Sequence, residues 1–343
     1  MKRLISILIL VIVSCCLSKH AGVVQMSPRD MVEQLKLKHI DAFVAWEPFP
    51  SEAVVRGYGK ILATSSDIWK NHPCCVIAAK RNLSDEVLTA FIWAHVKATE
   101  FINNKSNEEK TIEYAVEFTG RSRDVIKSAL KNIKFVDFPD VNEFKKYYEK
   151  LKDFGYLTRS PVDLGYKSED DFFKDFIYEK PYKIVKAELS KNKNWIPKRV
   201  NVTLRVGYLS ADLHQLAFYI AVKEGYFEKV GIKVIPKVFE NGVLEMDGFR
   251  SDEIDIGYLG SAPVTLKRIN ENVDVRIVAG VNNEGSAIVV RSDLNITDIK
   301  ELSKLKVAIP GYGTVQDFLL RMAMKAELKL IMLSYSLVTS MSR

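Results

Sequence analysis

"VAIPGYGTVQDFLL", Val307–Leu320, reads as a strand end, a glycine turn and a helix start. Gly311 and Gly313 permit backbone angles closed to other residues. Thr314 can cap the apolar run Val315, Phe318 and Leu319. Free N–H groups at such a helix start attract anions. A strand–helix unit of this kind cannot bury its apolar helix face alone, and a parallel partner strand needs a crossover. No such crossover follows Leu330, so the matching material is expected in Met26–Ala79. "KVAIP" and "IDAFVAW" (Ile40–Trp46) are therefore expected in one sheet, although they come from opposite ends of the chain.

Working outward, the same grammar recurs. "VTLRVGYLS" is a strand entering a turn, followed by the amphipathic helix "LAFYIAVKEGYFEKVGI" with a glycine stop. "IDIGYLGSAPVTLKRI" is a strand, a Gly-Ser turn and a helix. "KILATS", "CCVIAAK", "KVIPKVF", "VRIVAGVNN" and "SAIVVRSD" read as further strands. Strands alternating with helices imply an α/β protein with mostly parallel sheets. "KHIDAFVAWEP" (Lys38–Pro48) and "DEIDIGYLGSAP" (Asp252–Pro263) echo each other: a polar helix end, Ile-Asp, an apolar strand and a proline-bearing turn. Two such units suggest two similar lobes. Ligands of open parallel sheets bind beyond the carboxyl ends of the strands, where both turns lie.

The chain has 343 residues, 47% hydrophobic and 27% charged, which is the globular range and excludes disorder as the main state. Its net charge is +7, but lysines alternate with acids, as in "FKKYYEKLKDFGY", and no basic block stands alone. Nucleic acid is therefore not an expected partner. Lys2 and Arg3 precede the apolar run Leu4–Val13 and "IVSC", a run too short for the ~20 residues of a membrane span. This fits an export signal, with Cys15 (or Cys16) as a lipidated first residue; an ordinary cleaved signal or an uncleaved anchor is the alternative. Cys74 and Cys75 are adjacent in a strand, so their side chains are expected on opposite faces, as buried thiols without a metal.

"LRVGYLSADLHQLAFYIAVKEGYFEKVGIKV", "IDIGYLGSAPV", "VAIPGYGTVQDFLL" and "IDAFVAWEPF" together resemble the solute-binding proteins of ABC importers for nitrate, sulfonate and taurine, a group that includes thiamine-pyrimidine-precursor proteins. The resemblance spans most of Met26–Leu330. It implies a two-lobed, periplasmic-binding-protein-like (type II) α/β fold that closes over a ligand. It also implies a monomer that passes a small anionic or zwitterionic solute to a permease, from a membrane lipid anchor, without enzyme activity or cofactor. The motif order departs from the family, so the chain reads as circularly permuted or as a product of a rearranged or truncated gene. The expected division is a signal and tether over 1–22, one lobe from 23–78 plus 291–335, and the other from 79–290 with a linker at 181–199. "CCVIAA" and "SAIVV" are expected side by side as the hinge.

The resemblance places Ser210, Asp212, His214 and Gln215 in the cleft after one strand, and Gly260, Ser261 and Ala262 after another. Asn282, Asn283, Gly285 and Ser286 come near the hinge, Gly313 and Thr314 from one side of the second lobe, and Trp46 and Glu47 from the other. Glycine N–H groups and hydroxyls at helix starts suit an oxyanion. Each has a plainer role available. Ser261 and Thr314 can be helix caps, and His214 can cap or lie at the surface. Glu47 can hold a ligand amine or pair with Arg56. A precursor-binding or precursor-synthesising protein and a non-binding relative are the competing functions; the two cysteines are fewer than the synthesising branch uses.

Overall fold

The computed structural model describes residues 21–325. Among these, eleven strands build two sheets. The smaller runs β1 (Gly22–Gln25), β11 (Lys306–Ile309), β2 (Ala42–Trp46), β10 (Ser286–Arg291), β3 (Gly59–Thr64). The larger runs β7 (Ile232–Phe239), β6 (Val202–Leu209), β8 (Ile256–Gly260), β4 (Pro73–Lys80), β9 (Val275–Glu284), β5 (Ile133–Phe135). Read in that direction the two have one plan. Three parallel strands come first, and strands paired antiparallel follow, two in the smaller sheet and three in the larger.

The Ile-Asp echo has a physical cause in this shared plan. Asp41, before β2, accepts the Lys306 N–H that opens β11 (3.1 Å) and pairs with Arg291 of β10 (3.1 Å). Asp255, before β8, accepts the Arg205 N–H of β6 (2.9 Å) and pairs with the same arginine's guanidinium (2.5 Å). Each aspartate therefore fixes the start of a parallel pair. The expectation from the opening motif holds: Val307 and Ala308 lie opposite Ala42 and Phe43. Side chains along β2 alternate between two apolar layers. Phe43 and Ala45 pack with Met31, Leu35 and Phe49. Ala42 and Val44 pack with Ile288, Val307 and Leu320 on the other face.

Two expectations are corrected. "CCVIAA" and "SAIVV" are not neighbours: β4 lies between β8 and β9, and β10 between β2 and β3. They occupy equivalent places in different sheets, because an apolar central-strand pattern does not name its partner. β4 therefore belongs wholly to the larger sheet and β10 wholly to the smaller, which moves both expected lobe boundaries by a strand. The chain crosses between sheets over 65–72 and at Gly285. The two crossings touch: Glu284 N–H donates to His72 O (3.2 Å), and Ser286 N–H to Ser65 Oγ (3.2 Å). The expected linker at 181–199 contains most of a helix, Lys180–Lys191, with Pro181, Val185 and Leu189 buried. Those three are spaced four apart, one per turn, and the lysines between them hid the stripe. Trp93 of the helix Asp85–Asn103 then donates its indole N–H to Trp195 O (2.8 Å).

Cys15 and the segment "LKLIML" with the tail after it lie outside the described residues. Among the described residues, no helix is long and apolar enough to cross a membrane.

Candidate functional site

β2, β6, β8 and β11 end at Trp46, Leu209, Gly260 and Ile309, and the turns after them converge. Between them lies a cavity of about 20 Å³. Trp46, Cys74, Cys75, Asp212 and His214 line it, facing Gly242, Gly260, Pro263, Thr314 and Gln316. That is room for about one water. No lysine or arginine is in the lining.

His214 is the centre of the polar network. Asp212 caps its short helix by accepting the His214 N–H (3.0 Å), and its carboxylate lies 3.6 Å from His214 Nδ1. The ring's Nε2 meets Gly285 O at 2.8 Å. Gly285 has φ +84°, and a Cβ there would come within 2.3 Å of that nitrogen. A glycine is thus required for the histidine to fit. Burial pushes the Asp212 carboxyl up to about 7. Burial opposes charge on His214, but the Asp212 carboxylate and the Cys74 thiol outweigh it and raise the imidazole to about 9.

The thiols are not where strand alternation puts them. β4 has register irregularities on both sides of Cys75, and a bulge re-aims side chains. Cys74 Sγ and Cys75 Sγ lie 3.6 and 3.7 Å from His214 Nδ1. All three donor atoms are buried and within 4.8 Å of one another. A hydrogen bond from Cys75 holds the Cys74 thiol well below the usual range. Two sulfurs and an imidazole form a donor set for a soft cation.

The other expected residues divide into two groups. Trp46 and Ser261 are buried, and neither the indole Nε1–H nor Ser261 Oγ has a partner among the described residues. Asn282 and Asn283 likewise leave a side-chain oxygen unpartnered. The remaining groups are engaged within the fold. Gln215 accepts the Leu209 N–H (2.7 Å) and donates to Tyr258 O (2.7 Å), tying β6 to β8. Thr314 Oγ donates to Gly311 O (2.7 Å) and accepts the Asp317 N–H (3.3 Å), which is the capping role. Gly313 N–H donates to Asp317 (2.9 Å), and Ser286 Oγ accepts from Gln316 (2.9 Å). Ala262 is fully buried. Ser210 is a correction: it is exposed and lines an outer groove with Tyr208 and Tyr219, away from the cavity.

Glu47 does not pair with Arg56, whose partners are Glu33 and Glu52. Its carboxylate accepts from Ser51 N–H (3.1 Å), Ser51 Oγ (3.0 Å) and Asn132 Nδ2 (2.7 Å). Burial raises its carboxyl, against the pull of those bonds. Sequence reading missed Gln316 and Glu245. Glu245 is fully buried, and burial pushes its carboxyl well above the usual range, against a backbone hydrogen bond from Tyr258. Gly207 and Gly257 make room for it: a Cβ at either would lie 2.5 or 2.2 Å from Glu245 Oε1. Those two glycines, spaced in paired strands, were the available signal.

Several known proteins are similar to this chain. A Brucella abortus protein named as a binding protein is 30% identical over 131 residues, 38% of this chain and 40% of its own length. A nitrate/nitrite binding protein of a Nostoc species is 22% identical over 152 residues, 43% of this chain and 33% of its own. The chain thus spans about two-fifths or less of the length of these relatives. Among solved structures, an ABC transporter substrate-binding protein from Listeria monocytogenes aligns over 81% of this chain and 58% of its own, at 12% identity and a TM-score of 0.36. At that score the alignment carries no weight for this chain. The family model is decisive: the NMT1-like family matches residues 16–116 and 198–331, well over half of the sequence, and the chain belongs to that family.

Proposed function

We propose that this chain is an extracytoplasmic solute-binding protein that captures a small oxyanion, such as nitrate or a sulfonate, and delivers it to an ABC-importer permease. Lipid anchoring through Cys15 and the permuted order of the two chain parts belong to this reading. The observation that carries it is the pair of buried, unpartnered donors at the ends of β2 and β8: Trp46 Nε1–H, of a residue that lines the cavity, and Ser261 Oγ–H, next in sequence to the lining Gly260. An orphaned buried donor costs about 1–3 kcal/mol, which an oxygen ligand would recover. The names of the nitrate-binding relatives support the same class. Glu47 is already engaged by Ser51 and Asn132, which favours a plain anion over a zwitterion such as taurine. The cavity must expand to admit any of these, as lobe opening would allow.

Cys74, Cys75 and His214 favour a second reading, a soft cation in the same cleft. A thermal-shift panel of nitrate, nitrite, methanesulfonate, taurine and zinc separates the two. Saturation at a hundred times Kd stabilises by about 2.7 kcal/mol. A shift with an anion and none with zinc supports the first reading. A shift with zinc alone replaces it with the second.

A further inference from the structure

Glu47, the residue after β2, reaches across to the larger sheet. Its backbone N–H donates to Gly285 O (2.9 Å), and its backbone O accepts the Leu213 N–H (3.1 Å). Its carboxylate takes the Asn132 amide at 2.7 Å. Leu213 follows β6 and Asn132 precedes β5, both on the side of the larger sheet. One residue at the edge of the smaller sheet thus holds two elements of the larger one and the crossing at Gly285. A second contact nearby reinforces it. Arg121 Nε meets Glu52 at 2.5 Å, with both side chains nearly buried, and its guanidinium lies 5.2 Å from the Phe49 ring centre. At another point on the smaller-sheet side, Tyr156 OH donates to Asp317 (2.9 Å), the residue that also accepts the Gly313 N–H.

Arg121, Asn132 and Tyr156 share a further property. All three lie between residues 116 and 198, the stretch that the family model leaves unmatched. Their three acceptors, Glu47, Glu52 and Asp317, lie inside the matched parts.

We propose that Arg121, Asn132 and Tyr156 form a latch that holds the two sheets closed on each other and sets how fast the cleft reopens. Glu47 is its keystone and acts on a bound solute only through closure. The consequence for release rests on the solute-binding reading; the latch itself does not. Three hydrogen-bonded contacts from one segment close the rim without touching the cavity, since none of the three donors lines it. Closure therefore has a source of stability separate from the ligand, and weakening the latch should speed reopening at unchanged cavity chemistry.

The test uses ligand-free protein, so it does not depend on which solute binds. Asn132 is exposed, so Asn132→Ala should fold. Amide hydrogen exchange is followed in peptides covering 46–52 and 209–216, with peptides of β8 as the internal control. Asn132→Ala should speed exchange in the first two about tenfold and leave β8 unchanged. Tyr156→Phe should speed exchange around 311–317. The double variant Asn132→Ala with Glu47→Gln should exchange no faster than the quicker single variant, as coupled partners do. Unchanged exchange in both single variants, or equal acceleration everywhere, would overturn the latch. Failure of the anion panel with this exchange pattern intact would remove the solute reading alone.

Discussion

Gly285→Ala joins the backbone of the crossing to the side chain at the centre of the cleft, and its cost can be built from parts. The residue sits at φ +84°. A Cβ-bearing residue in the left-handed region costs about 1–2 kcal/mol. The new methyl would meet His214 Nε2 at 2.3 Å and Ile133 Cγ1 at 3.0 Å, so the imidazole must move. Moving it breaks the 2.8 Å bond to Gly285 O and strands a buried ring N–H, about 1–3 kcal/mol more. The expected loss is therefore about 2–5 kcal/mol, summed from these two parts. Gly120→Ala is the matched control: its φ is +68°, but nothing lies within 4 Å of its Cβ position. It should lose only the backbone part, about 1–2 kcal/mol. Urea unfolding followed by far-UV circular dichroism, with the slope held constant, reads both. Equal losses in the two variants would mean that His214 does not depend on Gly285, and the reasoning would fail.

Other outcomes follow from the same geometry. Asp212 and His214 both bind protons more tightly folded than unfolded, so stability should fall as pH rises, from about 4 to about 7 for Asp212 and from 6.5 to about 9 for His214. In Asp212→Asn the limb between pH 6.5 and 9 should flatten in urea titrations; an unchanged limb would assign it elsewhere. Thr314→Ala should cost about 0.5–2 kcal/mol of stability through its lost cap, measured by the same unfolding. Ser261→Ala should leave stability equal or higher, because its hydroxyl has no partner, while weakening anion binding roughly tenfold or more by calorimetry.

Much of the architecture was readable because the strand motifs carry local instructions. Gly120 as a helix stop, Ser84 as a cap and the strand–turn–helix at Gly260 are each set by neighbours in sequence. The pairing of "KVAIP" with "IDAFVAW" was legible because an apolar helix face without a partner strand demands one. Partner choice for β4 and β10 was not legible, since their Val, Ile and Ala runs suit any buried strand. Within the site, His214 and Trp46 stood out through the motifs around them. Cys74 and Cys75 misled because strand alternation assumes a regular ladder, and the bulge at Cys75 breaks it. Glu47 was placed at the right strand end with the wrong partner: Asn132 is 85 residues away, and no local pattern couples them.

In the proposed function, a small anion lies between Trp46 and the Gly260–Ser261 turn when the lobes close. A crystal structure with the anion that gives the largest thermal shift tests this most directly. Density for the anion is expected in the cavity between the sheets, within hydrogen-bond reach of Trp46 Nε1 and Ser261 Oγ. Density for it only in the outer groove beside Ser210, with both donors still unpartnered, would rule out anion capture at these two donors.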